Sequence, residues 1–479
     1  MKWRPYPRYR ESGVEWLGAV PEHWRLPPMH ARYRVELGKM LDEKRISGAY
    51  PVPYLRNTDV QWDRINDESL PEMDITPAER ERFTVREGDL LVCEGGEIGR
   101  AAIWHGPSGE LGFQKALHRL RPRSDDECPR YLFYTMRCIA GSGVFEAEGN
   151  PNTIFHLTGE KLRRYRFPAP SADEQRAIAR FLDRETARLE TLVGKKRQLI
   201  DRLREKRTAL ISHTVTRGLP PDEAARAGLP VDPPPKNSGV EWIGQVPGHW
   251  QVLPLKRALR DSVAGPFGSA LTKDLYTADG YRVYGQEQVI AGSFSAGDYY
   301  IPPELYEEMR RYRVEPGDVL VSCVGTFGRV VIVPEGVQPG IINPRLVLLR
   351  PDTTLVKPRF LAALLGSGFC YSQFEAASRG GTMGVINLSL LQSLVVLVPP
   401  LREQDAIAGF LDRESAKIDR LVATIEEAID RLQEYRAALI TAAVTGKIDV
   451  RGEVAQEYPD EAPFLRAAEP DPPAAADPS

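Results

Sequence analysis

Cysteine, histidine and long apolar runs are all scarce in this chain of 479 residues, and each shortage removes a class of protein. The five cysteines (Cys93, Cys128, Cys138, Cys323 and Cys370) form no CxxC pair and are odd in number. That argues against a disulfide framework and suits reduced thiols. The seven histidines show no HExxH and no ligand spacing, so no metal site is expected. No stretch matches the roughly 18 consecutive apolar residues of a membrane span. The opening MKWRPYPRYRESG carries no apolar segment of the signal-peptide kind, and a cytoplasmic location is expected.

Catalytic signatures are lacking as well. Gly95-Gly96 with Gly99 gives only GGxxG, without the helix-opening context of a dinucleotide site, so strand-end turns are the better reading. Asp232-Pro233-Pro234-Pro235 has the start of the (D/N)PP-aromatic motif of amino-methyltransferases. It lacks the aromatic that stacks the target base, and it lies in a Pro-rich stretch. No nuclease carboxylate–lysine cluster, nucleophile elbow or kinase set is present. A chain of this size without a catalytic constellation reads as a recognition or assembly part. A strong charge of one sign is also missing: the formal net charge is −3. Residues 451–479 hold seven acidic residues against two arginines, so residues 1–450 carry +2. This permits DNA binding through local patches without arguing for it. The tail, rich in Pro and Ala, is expected to be disordered.

What the sequence has is a repeat. EQRAIARFLDRETARLETLV at 174–193 returns as EQDAIAGFLDRESAKIDRLV at 403–422, an offset of 229. A fixed-offset self-match decides the architecture. Each copy has a heptad skeleton: Ile178, Leu182, Glu185, Leu189, Leu192, Lys196, Leu199, Leu203, Lys206, Leu210, and Ile407, Leu411, Glu414, Ile418, Leu421, Ile425, Ala428, Leu432, Tyr435, Leu439. Alternating steps of four and three make one apolar stripe on a long helix. Ser171 and Glu174 have capping-box spacing, and Pro399-Pro400 leads into the second helix. Gly218 and Gly446 mark the ends. About 45 residues give a rod of roughly 65 Å. Its natural partner is its own copy. Residues 171–216 hold 11 basic against 7 acidic residues, and 402–447 hold 7 against 9; the opposite signs help weakly, and the apolar seam decides.

The rest repeats too. SGVEWLGAVPEHW (12–24) recurs as SGVEWIGQVPGHW (238–250), so that Trp16 and Trp24 match Trp242 and Trp250. These tryptophans read as plugs at the base of the domain that follows. VREGDLLV (85–92) matches VEPGDVLV (314–321), each a turn into a buried strand. QKALHRLRP (114–122) matches NPRLVLLRP (343–351), and PRYL (129–132) matches PRFL (358–361), each opening a helix. The expected fold class is α+β: two tandem, pseudo-two-fold-related α/β globules joined by two long helices in an antiparallel coiled coil. The expected divisions are an N-terminal arm and tag over 1–26, a first globule over 27–170, a first helix over 171–216, a stiff linker and second tag over 217–250, a second globule over 251–398, a second helix over 399–446 and an acidic tail over 447–479.

Apolar and Gly positions match between the globules, whereas polar positions in their early parts do not. Aligned at an offset of 230, Tyr54-Leu-Arg56-Asn57 faces Tyr284-Gly-Gln286-Glu287, with Gln288 close by. Arg reads guanine, and Asn or Gln reads adenine, in the major groove. One scaffold with two polar sets is what reading two short sequences needs; ordinary divergence of surface residues after duplication gives the same pattern. Before each long helix, Asn152 and Thr153 in one copy and Arg379 and Thr382 in the other sit among small residues that suit phosphate contacts or a tight turn. Lys273 adds a basic candidate in the second globule.

In combination the SGVEW tags, the Gly88-Asp89 and Gly317-Asp318 strand turns and the P-x(3)-EQ helix starts (Pro170 to Glu174-Gln175, Pro399 to Glu403-Gln404) resemble the DNA-specificity subunit of type I restriction-modification enzymes, over nearly everything but the acidic tail. The resemblance implies two target-recognition domains, each reading half of a split, asymmetric double-stranded DNA site, with the helices as a ruler between them. It implies docking of two methyltransferase (modification) subunits, which bring S-adenosylmethionine, and of restriction subunits using ATP and Mg. No cofactor and no catalysis are expected in this chain itself. The alternative is a coiled-coil assembly scaffold that does not bind DNA.

Overall fold

The computed structural model describes residues 3–41, 48–147, 156–241, 243–267, 270–323, 329–378 and 388–452. The chain divides into two compact units, Met1–Gly194 with Ala428–Ser479, and Lys195–Glu427.

The first unit is built on a four-stranded antiparallel sheet. Its strands are β1 (Tyr33–Leu37), β2 (Leu90–Cys93), β3 (Ala101–Ile103) and β4 (Leu117–Pro122), in the order β1–β4–β2–β3. Helix α1 (Pro129–Gly141) opens on its proline, where the missing N–H costs nothing. It buries Tyr131, Leu132, Phe133 and Met136 in the main core with Leu90, Val92 and Leu120. A smaller sheet sets Pro51–Leu55 parallel to Gly112–Phe113 and antiparallel to Glu72–Asp74. The long helix α2 (Ala172–Arg217) follows.

The second unit repeats this plan. Strands β5 (Leu259–Ala264), β6 (Val319–Ser322), β7 (Val330–Ile332) and β8 (Leu346–Pro351) lie in the order β5–β8–β6–β7, again antiparallel. Helix α3 (Pro358–Leu365) covers them. Tyr281–Tyr284 runs parallel to Gly340–Ile342 and antiparallel to Tyr300–Ile301. The long helix α4 is Leu401–Val444.

The repeated turn before β2 and β6 has a simple cause. Gly88 and Gly317 sit at φ 84° and 86°, a region that costs a side chain energy and glycine nothing. The next residue, Asp89 or Asp318, folds back to accept the backbone N–H of Arg86 at 2.7 Å or Glu315 at 2.8 Å. Both strands that follow are wholly buried.

The tags are anchored by the first turn of the long helices. Trp24 and Trp250 are 1% and 0% exposed. Glu174 Oε1 accepts from Trp24 Nε1 at 3.1 Å and from Tyr6 Oη at 2.7 Å, while His23 Nε2 lies 3.0 Å from Oε2. In the second unit Glu403 accepts from Trp250 Nε1 at 3.0 Å, with His249 Nε2 at 2.7 Å. Trp24 and Trp250 thus carry a polar handle, met by a buried carboxylate; Trp16 is partly buried, and Trp242 lies outside the described residues. The capping box forms only by half: Glu174 N–H reaches Ser171 Oγ at 3.4 Å, but the Glu174 side chain is spent on the tag. The neighbouring glutamines bind their own domains. Gln175 Oε1 accepts from Cys128 N at 3.0 Å, and Gln404 Oε1 accepts from Lys357 N at 2.7 Å.

The heptad skeleton holds at its ends and fails in the middle. Ile178, Leu182, Ile407, Leu411, Ile418 and Leu439 are buried, whereas Leu192, Leu199, Leu421 and Tyr435 are 42–53% exposed. Ile200 and Ile429 are buried in their place, at 6% and 7% exposure. The reason is geometric: a straight helix turns every 3.6 residues, so a strict seven-residue stripe drifts by about 20° per heptad. One step along restores the buried face. Among the described residues no helix is long and apolar enough to cross a membrane.

Candidate nucleic-acid interface

In the first unit the ends of the small sheet and of β2 meet at one surface. Leu55 O accepts from Gln114 N at 3.0 Å. Glu94 N donates to Ala116 O at 3.0 Å, and Leu157 N donates to Glu94 O at 2.8 Å. These bonds knit three chain segments around a concave space of about 580 Å³ lined by Met40, Glu94, Gln114, Lys115, His156 and Thr158 among others. Burial pushes the Glu94 carboxyl above the usual range, with the His156 and Lys115 charges pulling the other way. The side-chain amide of Gln114 has no hydrogen-bond partner among the described residues.

The second unit repeats the backbone bonds and changes the side chains. Tyr284 O accepts from Asn343 N at 2.8 Å, and Cys323 N donates to Arg345 O at 3.0 Å. Each is the earlier bond moved by 229 residues. Glu94, Gln114, Lys115 and Ala116 thereby become Cys323, Asn343, Pro344 and Arg345.

These bonds also correct the 230 alignment. Tyr54 pairs with Gly112, and its structural twin Val283 pairs with Ile341, so Tyr54 does not correspond to Tyr284, nor Arg56 to Gln286. The true pair is Asn57 and Gln286. Both amides reach the end of the neighbouring strand: Asn57 Nδ2 donates to Gly95 O at 2.9 Å, and Gln286 Nε2 to Ser322 Oγ at 2.7 Å. Matching one tyrosine to another in sequence hid this register.

The predicted site residues separate accordingly. Tyr54 (5% exposed) packs with Val52, Met73 and Ile75, and Tyr284 (0% exposed) with Val263 and Val289; neither aromatic ring faces outward. Gln288 is wholly buried. Its Oε1 accepts from Gly285 N at 2.6 Å, as its twin Asp59 accepts from Arg56 N at 2.8 Å. Gln288 is a turn cap, used up within the fold. Arg56 keeps 43% of its side chain exposed while its guanidinium grips Asp59 at 2.8 Å; that pairing raises the Arg56 pKa. Asn57 also accepts from Arg100 Nη2 at 2.8 Å. Lys273 begins the short turn Lys273–Leu275, and its side chain lies outside the described set, as do Asn152, Thr153, Arg379 and Thr382. Sequence reasoning passed over Glu94, Gln114, Lys115 and His156. The available signal was the amide pair Gln114/Asn343 at the head of the repeated QKALHRLRP and NPRLVLLRP stretches.

A scaffold used twice, with its packing kept and its strand-end side chains exchanged, suits a duplicated recognition protein. The sequence pattern described as the type I restriction modification DNA specificity domain matches residues 35–201 and again 272–431. The chain is 22% identical over 390 residues to the type I restriction enzyme EcoBI specificity subunit of Escherichia coli, covering 81% of this chain and 78% of that one. It is 28% identical over 211 residues to the putative type I restriction enzyme MjaX specificity subunit of Methanocaldococcus jannaschii, covering 42% and 47%. Among solved structures, the HsdS subunit from Thermoanaerobacter tengcongensis shares the fold with a TM-score of 0.52 at 17% identity, over 91% of this chain and 100% of that one. A chain from a structural study of complex assembly and conformational transition of the type I R-M system gives a TM-score of 0.61 at 17% identity, over 91% and 99%. This chain belongs to the type I restriction-modification DNA-specificity family, with the specificity domain present twice.

Proposed function

We propose that this specificity subunit reads a split, asymmetric site in double-stranded DNA, one half through each unit, and directs methyltransferase subunits to it. Restriction subunits join that complex. S-adenosylmethionine, ATP and Mg belong to the partners, and this chain contributes recognition without catalysis. The observation that carries the reading is the exchange of side chains at the strand ends of a repeated backbone: Asn57 for Gln286, Gln114 for Asn343, and Ala116 for the exposed Arg345. Diverged amides and guanidinium groups on one frame suit two different base sequences.

The long helices serve as the ruler, paired antiparallel as a coiled coil. Support comes from ion pairs in each unit. In the second unit Arg204 meets Glu426 at 3.3 Å and Arg207 meets Asp419 at 3.5 Å; in the first, Glu190 meets Arg436. Residue numbers rise on one helix as they fall on the other. Two readers related by a two-fold suit half-sites about one helical turn apart.

The test is co-expression with the methyltransferase partner, followed by mapping adenine methylation across a plasmid library. A split motif with a fixed gap is expected, and exchanging residues 251–398 for those of a relative changes one half of it only. A stable complex with no sequence-dependent methylation would overturn the reading in favour of an assembly scaffold.

A further inference from the structure

The two most exposed large apolar side chains among the described residues are Met40 at 62% and Phe267 at 75%. A single exposed apolar residue needs no explanation. These two occupy the same place on the repeated scaffold. Gly38 N donates to Leu117 O at 3.0 Å, and Gly265 N donates to Leu346 O at 2.9 Å, the same bond moved by 229 on the acceptor side. A Cβ on Gly38 would stand 2.1 Å from the Gln114 carbonyl oxygen, and one on Gly265 would stand 1.9 Å from that of Asn343. Both glycines are therefore required by close backbone approach. Met40 and Phe267 each lie two residues beyond them. The clamped glycine fixes where each side chain emerges, next to the polar pair Gln114/Asn343 that differs between the units.

We propose that Met40 and Phe267 are the wedge residues of the two domains, each inserting into a base step of its own half-site in duplex DNA. The inference rests on the DNA-reading function proposed above. Exposing a flexible Met or a Phe beside polar readers is costly in water and useful against stacked bases; such side chains partly unstack a step and kink the duplex. The neighbouring groups suit this placement: Gln114 and Lys115 line the same concave surface as Met40, and in the other unit Arg345 Nη1 lies 3.5 Å from Gln286 Oε1. Sequence-dependent ease of unstacking would then add to the selectivity of each half-site.

The experiment uses the full chain in complex with its methyltransferase partner and the motif found by methylation mapping. 2-Aminopurine is placed in turn at positions of each half-site other than the target adenine. Fluorescence is expected to rise on binding at one step per half. Met40→Ala should abolish the rise in the half read by the first unit alone, and Phe267→Ala in the other half alone. Each should weaken binding about tenfold, or about 1.4 kcal/mol, with unchanged thermal unfolding because both positions are exposed. Met40→Phe should keep the signal. If the parent complex methylates a split motif but no probe brightens, or both alanine variants brighten as the parent does, the wedge is wrong and the reading function stands. If the alanine variants only relax a preference for thymine with no unstacking, a methyl contact replaces the wedge. If the parent methylates no motif, both proposals fall together.

Discussion

The turn before β2 and the turn before β6 have the same backbone and the same aspartate, yet the two units neutralise that aspartate differently. Asp89 is held by Arg121 at 2.8 and 2.7 Å, with the buried Arg119 at 4.0 Å behind it. Burial and the adjacent Arg121 bring Arg119 down to about 10. In the second unit Arg119 is replaced by Leu348, wholly buried. The remaining Arg350 is shared among Asp318 at 3.4 Å, Glu315 at 3.4 Å and Asp261 at 3.8 Å. Asp318 is left underpaired, and burial lifts its pKa to about 6. The turn geometry is thus fixed by the backbone and its glycine, while the charge behind it has been free to drift. Main-chain bonds are repeated between the units, and so are the side-chain partners at the tag anchors, whereas the partners behind this turn and at the strand ends are not.

If the copies are mechanically equivalent, their anchors must cost the same to remove. Trp24→Ala and Trp250→Ala should each destabilise their own unit by about 3–5 kcal/mol, read by urea unfolding with hydrogen exchange to assign the unit. The carboxylates beneath them sharpen the comparison. Glu174 holds Tyr6 as well as its Trp and His, so Glu174→Ala should cost more than Glu403→Ala, by roughly the 1.5–3 kcal/mol of one extra hydrogen bond to a charged group. Equal costs would remove Tyr6 from the anchor.

The aspartates should separate the units further. Asp89→Asn leaves the buried Arg119 without its carboxylate and breaks the close pair with the half-buried Arg121, and should cost about 3–5 kcal/mol. Asp318→Asn keeps an acceptor for the Glu315 N–H and removes a poorly paired charge; at pH 8 it should be neutral or stabilise by about 1 kcal/mol. The pH dependence follows from the sign of the shift. The folded pKa of Asp318 is raised, so its favourable contribution is complete below the unfolded value near 3.9 and is lost as pH rises through about 6. Relative to the parent, Asp318→Asn should therefore gain stability between pH 4 and pH 7. Unfolding midpoints of parent and variant that move in parallel over that range would show that Asp318 is well paired after all.

Much of this duplication was legible. Glycine at a positive φ, proline at a helix start and an apolar strand after a Gly-Asp turn are local rules, and they located β2, β6, α1, α3 and both long helices. The legible part stopped where partners lie far apart in sequence. Nothing near Glu174 announces that it receives a tryptophan 150 residues earlier. The register of the small sheet was misread because two tyrosines, one residue out of step, look more alike than Tyr54 and Val283. Gln288 looked like a reader because its capping role depends on a turn whose twin is capped by Asp59. Arg119 passed unnoticed within QKALHRLRP because a lone buried arginine is indistinguishable in sequence from an exposed one. In each case side-chain identity was informative only after main-chain register had been fixed.

The smallest difference concerns charge on the long helices. Net charges of opposite sign along α2 and α4 suggest an electrostatic attraction, and ion pairs do form. Arg204 and Glu426, however, are 63% and 52% exposed, and Arg207 and Asp419 are 43% and 61% exposed. Pairs this wet return little once side-chain entropy and screening are subtracted, about 0.2–1 kcal/mol each. Ile200 and Ile429, the buried twins on the two helices, are apolar and nearly inaccessible, and truncating either to alanine should cost about 2–5 kcal/mol. Arg204→Ala and Asp419→Ala should therefore shift the second unit's stability by less than about 1 kcal/mol. Most of that shift should vanish in 1 M salt, where the screening length falls to about 3 Å. A larger, salt-sensitive loss would assign the pairing of these helices to charge, and the drift of side-chain partners between the two units would then carry a cost the apolar seam does not explain.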